Sequence, residues 1–363
     1  MRSIDLLIVG GGSIGLSCAL HAAERFPNFR IAVMDSGNLP GVASRAAAGM
    51  LVPFAEFEED SPLFRLCVES LEYYPEFLRR FRIDAPLDVA GTLTPILPGG
   101  CDRVARVEAL ASTLAECRRL GRDELMTEEP TLVGGASSGA LWIPGALIDP
   151  RRLHGELLSR AREAAIEFIE GAPTSSEIVG GRIASIVSSK NNRLSPGQVV
   201  LATGAWSEEA GAVFGLRAPI VPIKGQVARF DCPDGLLRHV IHTHGVYLAP
   251  RPGSGIVFGA TMEVAGFDSE VSKATMANLR EAALDLAPGL AKYPVAESWI
   301  GFRPKFPDGL PAIGRSSQVA NLIIATGHFR NGILLTPATG KIVADAIGGD
   351  GGMRWLRPAR LAL

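Results

Sequence analysis

The chain has 363 residues, 47% of them apolar and 6% aromatic, with a formal net charge of −2. That length can bury a large core and accommodate one to three domains. The near-balanced charge provides no global field for nucleic acid or an anionic membrane, so any anionic ligand must be caught by local arginines.

In chain order, Leu6-Leu7-Ile8-Val9 reads as a buried strand running into Gly10-Gly11-Gly12-Ser13-Ile14-Gly15, a G-x-G-x-x-G turn that opens a helix. A second apolar run, Ile31-Ala32-Val33-Met34, ends in Asp35. Residues 61–82 predict a helix carrying Leu63, Leu66, Leu71 and Phe77, and 88–98 a turn-bounded strand. The spacing of Val104, Val107, Leu110, Leu114 and Cys117 predicts a helix over 102–119. Asp149-Pro150 is a helix-start signal for 150–166. Short strands are expected around 177–180 and 183–188, then a β-branched strand from Val199 to Gly204, after which Ala205-Trp206-Ser207 begins a helix. Residues 220–262 are strand-rich with a turn at 252–255, 270–287 helical, 321–325 a last strand and 335–348 a last helix. No repeat or linker divides the chain, so its domains are expected to interleave.

Two charge-free runs, 6–23 and 131–148, are interrupted by glycine, and the second also by serine and Pro144, so neither reads as a lipid-facing helix. Asp5 and the glycine-split apolar run argue against a signal peptide. The cysteines, Cys18, Cys67, Cys101, Cys117 and Cys232, are odd in number and lack C-x-x-C spacing. They indicate neither a disulfide framework nor a thiolate zinc site, and a cytoplasmic, reducing setting is expected.

In the glycine turn, Gly10 allows the tight bend, Gly12 lets a pyrophosphate approach the backbone, and Gly15 lets helix and strand pack closely. The pyrophosphate then sits at a helix N-terminus, where free N–H groups and the dipole favour negative charge. Asp35 accepts from ribose hydroxyls and disfavours a 2′-phosphate, which weighs against NADP. The run from Val199 to Gly204 resembles the Ala-Thr-Gly strand of many FAD proteins. The second set of βαβ-like pieces is split between about 150–207 and 300–348, which favours FAD over NAD.

With these residues, the chain resembles the D-amino acid oxidase superfamily, and within it the glycine oxidases of the thiamine pathway. The resemblance runs through Ser44-Arg45-Ala46-Ala47-Ala48-Gly49-Met50-Leu51, Val199 to Trp206, Gly259-Ala260-Thr261-Met262, Trp299 to Gly314, and Gly327-His328-Phe329-Arg330-Asn331-Gly332-Ile333-Leu334-Leu335 onward to Gly340. It implies an α/β (α+β) fold: a Rossmann-like FAD domain built from 1–85, 145–217 and 300–363, interleaved with an antiparallel-sheet substrate domain from 86–144 and 218–299. The implied non-covalent FAD site comprises Gly10, Gly12, Ser13, Ile14, Gly15, Asp35, Ser36, Ser44, Ala47, Ala48, Gly49, Met50, Thr203, Gly204, Trp206, Arg303, His328, Phe329, Arg330, Asn331, Gly332, Ile333 and Leu334, with Thr174 beside the adenine through its backbone. Tyr247, Arg303 and Arg330 match the substrate-binding positions.

The implied reaction is oxidative deamination of glycine or another small amine or D-amino acid. The amine lone pair expels hydride to the flavin without a side-chain base, and dioxygen regenerates the flavin as hydrogen peroxide forms. Arg330 offers a substrate carboxylate two parallel N–H bonds. Arg303 binds substrate or braces the domains, and the Tyr247 hydroxyl takes a carboxylate oxygen. Met50 and Met262 are implied to line the pocket. Bulk at Val52-Pro53-Phe54 leaves the pocket width open among glycine, sarcosine and D-amino acids. His242 and His244 are expected on one strand face. With His239, they show no evident carboxylate or cysteine partner, so no metal is expected. A homo-oligomer, dimer or tetramer, is implied. Three rivals share parts of this pattern: a D-amino acid dehydrogenase with another electron acceptor, a tRNA-modifying flavoprotein, which the net charge disfavours, and a non-catalytic flavin-binding subunit, which gives no reason for Arg330 and Tyr247.

Overall fold

The computed structural model describes residues 2–349 except 38, 133, 134 and 136, together with residue 356. The end of the third implied FAD-domain segment, 350–355 and 357–363, lies outside the described residues. Among the described residues the strands form two large sheets and one small one.

The first sheet is built around Arg2–Val9. This strand pairs in parallel with Arg193–Leu201 on one side and Ile31–Asp35 on the other. Leu322–Thr326 and Glu167–Glu170 extend the parallel set at its two ends. The apolar run is continuous because both faces are covered. Leu6 and Ile8 pack into one core cluster with the helices Ser13–Arg25 and Thr336–Ile347, while Leu7 and Val9 pack into another with Phe214 and Phe306. All five parallel strands therefore end near the glycine turn, the place where open α/β sheets bind ligands.

Gly15 brings the first helix onto its strand. A Cβ there would collide with the carbonyl oxygen of Gly10. The last helix closes over the first, with Ser17 Oγ donating to the Thr336 carbonyl at 2.8 Å. The segment 327–335 that feeds this helix is thereby held against the glycine turn.

The second sheet has nine strands, mostly antiparallel. Its spine is the pairing of Val221–Phe230 with Val295–Lys305, which sets Ile223 opposite Arg303. The domain boundary placed at 300 falls inside the latter strand. Tyr247–Arg251 pairs with Gly255–Gly259, placing Tyr247 opposite Gly259. A small sheet of Met50–Leu51, Leu87–Asp88 and Ala146–Ile148 links the two large ones. This is the fold class expected from the sequence, a Rossmann-like layer interleaved with an antiparallel sheet.

Three local expectations need correction. The helix over 102–119 stops early: Cys101–Ala111 is helical, and Arg118–Gly121 is a strand paired with Gly139–Ile143. Leu114, which carried the helical spacing onward, is 53% exposed. The strand over 88–98 divides into Leu87–Asp88 and Thr92–Pro95, in different sheets. The break is at Gly91, with φ +96°, where the Trp142 indole packs and donates to the Ala90 carbonyl at 3.0 Å. His242 ends the strand Val240–His242 and is buried, whereas His244 lies beyond it and is exposed, so the two do not share a strand face.

No helix among the described residues is long and apolar enough to cross a membrane. Gly15→Ala should lower the urea unfolding free energy of the apoprotein by about 1–3 kcal/mol through overpacking. An unchanged midpoint would contradict this reading of the turn.

Candidate active site

A cavity of about 970 Å³ runs from the carboxyl ends of the parallel strands to the face of the second sheet. At its first end, Asp35 accepts the Gly11 N–H at 2.6 Å and the Gly37 N–H at 2.7 Å. The Ser13 N–H donates to Ser44 Oγ at 2.9 Å, which ties the glycine turn to the segment 44–51. Gly12 caps the helix Ser13–Arg25 with no side-chain bond, and no acidic residue occupies its first turn. Ser13 Oγ is buried without a hydrogen-bond partner among the described residues. A helix N-terminus with no acidic residue in its first turn and an orphaned hydroxyl are what a pyrophosphate would satisfy, so the residues present fit a dinucleotide. His154, not anticipated from the sequence, reaches in from the helix Pro150–Glu163, its Nε2 3.0 Å from the Gly11 carbonyl.

The middle of the cavity is lined by Ser44, Ala47, Ala48, Gly49 and Met50 from one segment, by Thr203, Gly204 and Trp206 from another, and by 328–334 from a third. Thr203 Oγ1 donates to Ser207 Oγ at 3.1 Å, and Ser207 Oγ lies 2.8 Å from Thr326 Oγ1, so a chain of hydroxyls fixes this turn. His328 is buried with Nε2 3.0 Å from Thr339 Oγ1, and burial pushes its imidazole down to about 3. It is a neutral, structural histidine.

Every residue named from the sequence for cofactor or substrate lines this cavity except two. Gly15 acts from behind, through packing. Thr174 is exposed, and its hydroxyl donates to the Val187 carbonyl at 3.0 Å. Ala172 and Pro173, just before it, line the cavity.

The far end holds Tyr247, Arg303 and Arg330 together. Tyr247 is 8% exposed, and burial pushes its phenol up to about 12 against the opposing effect of Arg303 and Arg330. Arg303 Nη1 donates to the Thr261 carbonyl at 3.0 Å. No carboxylate among the described residues is paired with it. Burial lowers its pKa from the ordinary guanidinium value, and neighbouring Arg330 acts in the same direction. Gly225 makes this placement possible, since a Cβ there would strike the Arg303 guanidinium.

Arg330 differs. Its Nη2 donates to Glu56 Oε1 at 2.7 Å. The same oxygen lies 3.2 Å from His242 Nε2. Burial acts to raise the Glu56 pKa, but bonding and charge from His242 and Arg330 outweigh it and hold the carboxyl at about 2. Glu56 and its role were not read from the sequence. The two side chains are 274 positions apart, and only the fold joins them. The expectation that the histidines lack carboxylate partners is also overturned, since His239 Nδ1 lies 2.7 Å from Glu129 Oε1. Val52 is the only residue of the bulky 52–54 run that lines the cavity; Phe54 packs edge-on against Phe64 in the core. Met262 lines the rim and is 58% exposed.

A family model described as DAO, FAD dependent oxidoreductase, matches residues 5–346. The chain belongs to this family. It is 32% identical over 359 residues to a glycine oxidase of Geobacillus kaustophilus (strain HTA426), covering 94% of this chain and 92% of that protein. It is 33% identical to the bifunctional protein ThiO/ThiG of Trichormus variabilis, spanning 52% of that longer protein. The crystal structure of glycine oxidase from Geobacillus kaustophilus superposes with a TM-score of 0.91 at 30% identity, covering 98% of both chains. The chain is thus a glycine oxidase-like FAD enzyme.

The Glu56 interaction has a pH signature. Its folded pKa of about 2 lies below that of a free glutamate, so the stabilisation is fully present above about pH 4.5 and is lost as pH falls through about 2. The stability difference between the wild type and Glu56→Gln should therefore shrink as pH is lowered from 5 toward 2, as read by urea unfolding. A pH-independent difference would contradict the assignment.

Proposed function

We propose that the protein catalyses the oxidative deamination of glycine and similarly small amino acids or amines, with dioxygen as electron acceptor. The net reaction converts glycine, dioxygen and water to glyoxylate, ammonia and hydrogen peroxide. The observation that carries the reading is the Arg303 guanidinium, half-buried beside Tyr247 and paired with no carboxylate among the described residues, at the end of an FAD-family cavity.

Bound FAD supplies the two-electron acceptor. The protein's own residues bind and orient. Arg303 presents N–H donors to the substrate carboxylate, and the Tyr247 hydroxyl offers a further bond. Two such anchors fix the carboxylate, and hence the direction of the α-carbon, which is where orientation lowers the barrier. The segment 328–334 forms the wall opposite, and its backbone precedes the N-terminus of Thr336–Ile347, where the helix dipole favours negative charge. The chain needs no side-chain base if the amine enters the step unprotonated. Glycine's few heavy atoms limit its binding to about 7 kcal/mol even in an ideal site, so weak binding is expected. Similarity to the bifunctional protein ThiO/ThiG, over 52% of its length, supports a role in which the imine product serves thiazole formation in thiamine biosynthesis.

Anaerobic addition of glycine, sarcosine or D-alanine to the purified yellow protein should bleach the flavin, and admitting air should restore the colour with stoichiometric peroxide. Colour that survives every amino acid would remove the reading, and bleaching that air does not reverse would remove dioxygen from it. Because the reacting amine must be neutral, kcat/KM should rise from pH 7 toward pH 9. A flat profile would contradict that requirement.

A further inference from the structure

The substrate end holds two guanidiniums and one carboxylate, Arg303, Arg330 and Glu56. Glu56 takes a donor of Arg330 at 2.7 Å, the geometry a ligand carboxylate would otherwise adopt. It is not a loose surface partner. Its side chain is 17% exposed, and His242, itself buried in the second sheet, holds the same oxygen from the other side at 3.2 Å. The short helix that delivers it, Pro53–Glu56, is fastened by Arg103 Nη2 donating to the Ala55 carbonyl at 2.8 Å. Arg303 pairs with no carboxylate among the described residues, though the Glu56 charge reaches it. One positive charge of this trio is therefore left for a ligand.

We propose that Glu56 is a specificity-determining residue: it occupies Arg330 in place of a second ligand carboxylate, so that the site accepts amino acids bearing one carboxylate and rejects those bearing two. This rests on the reading above that Arg303 receives the substrate carboxylate. The physical basis is charge matching at a buried site. A dianion would bring two negative charges to one uncompensated cation, and the internal carboxylate would repel the second.

The test titrates FAD-loaded protein with acetate and with malonate, following the perturbation of the flavin spectrum, at pH 8.5, where an ordinary imidazole is neutral. Wild type should bind acetate more tightly than malonate. In Glu56→Gln the ratio of malonate to acetate dissociation constants should fall by tenfold or more. Arg330→Gln should weaken acetate by tenfold or more, because Glu56 is then unbalanced beside Arg303. The double variant Glu56→Gln/Arg330→Gln should recover most of that loss without gaining malonate affinity. This double variant removes both charges together, so it stays informative if Glu56→Gln alone does not fold.

Turnover provides a second readout: the D-aspartate to D-alanine ratio of kcat/KM should rise in Glu56→Gln. An unchanged malonate to acetate ratio in Glu56→Gln, or no recovery of acetate binding in the double variant, would overturn the proposal while leaving the carboxylate role of Arg303 standing. Failure of wild type to bind either anion would overturn both.

Discussion

The Arg303 guanidinium is a half-buried cation that pairs with no carboxylate among the described residues. Burying such a group is costly unless a partner is supplied. Among the described residues Arg303 donates to one backbone carbonyl, that of Thr261, faces a glycine, and pairs with no carboxylate, feeling Glu56 only through its charge. The neighbouring Arg330 is compensated by Glu56. On the proposed reading, the contrast between the two arginines makes the end of the cavity a receptor for one small anion. It also specifies the division of labour between the sheets: one brings Arg303 and Tyr247, and the other holds the dinucleotide.

The connection between the two ends is mechanical. The parallel strands converge on the glycine turn, and the close approach at Gly15 holds the first helix against them. The last helix locks onto the first through Ser17, which fixes the segment 327–335. That segment carries Arg330 and forms a wall of the cavity. Ser13 bonds Ser44, and the segment beginning there runs on to Glu56 at its far end. The two segments held against the glycine turn therefore also carry Glu56 and Arg330 to the far end of the cavity.

The dinucleotide end was legible because its signals are local. A strand, a glycine turn, a helix and Asp35 fall within one short stretch, and each residue type has a steric or electrostatic reason to be there. Tyr247, Arg303 and Arg330 came from the family resemblance, and the structure brings them to one cavity end. The Glu56 pairing was not legible, because a lone glutamate in a run of Glu56, Glu58 and Glu59 carries no mark of its distant partners. The helix over 102–119 was drawn too long because Leu114 and Cys117 continued the apolar spacing by chance, while the sheet took up 118–121. Which residue sits on a regular element is written locally; which charges meet is written only in the topology.

The most direct measurement of the central claim is the affinity of the FAD-loaded Arg303→Ala variant for glycolate, a glycine analogue with a hydroxyl in place of the amine, read from the flavin spectrum and compared with wild type. The account predicts a loss of about 2–5 kcal/mol, as expected for truncating one partner of a buried charge pair, with the flavin still bound. Glycolate binding that is unchanged in a flavin-loaded Arg303→Ala protein would contradict it.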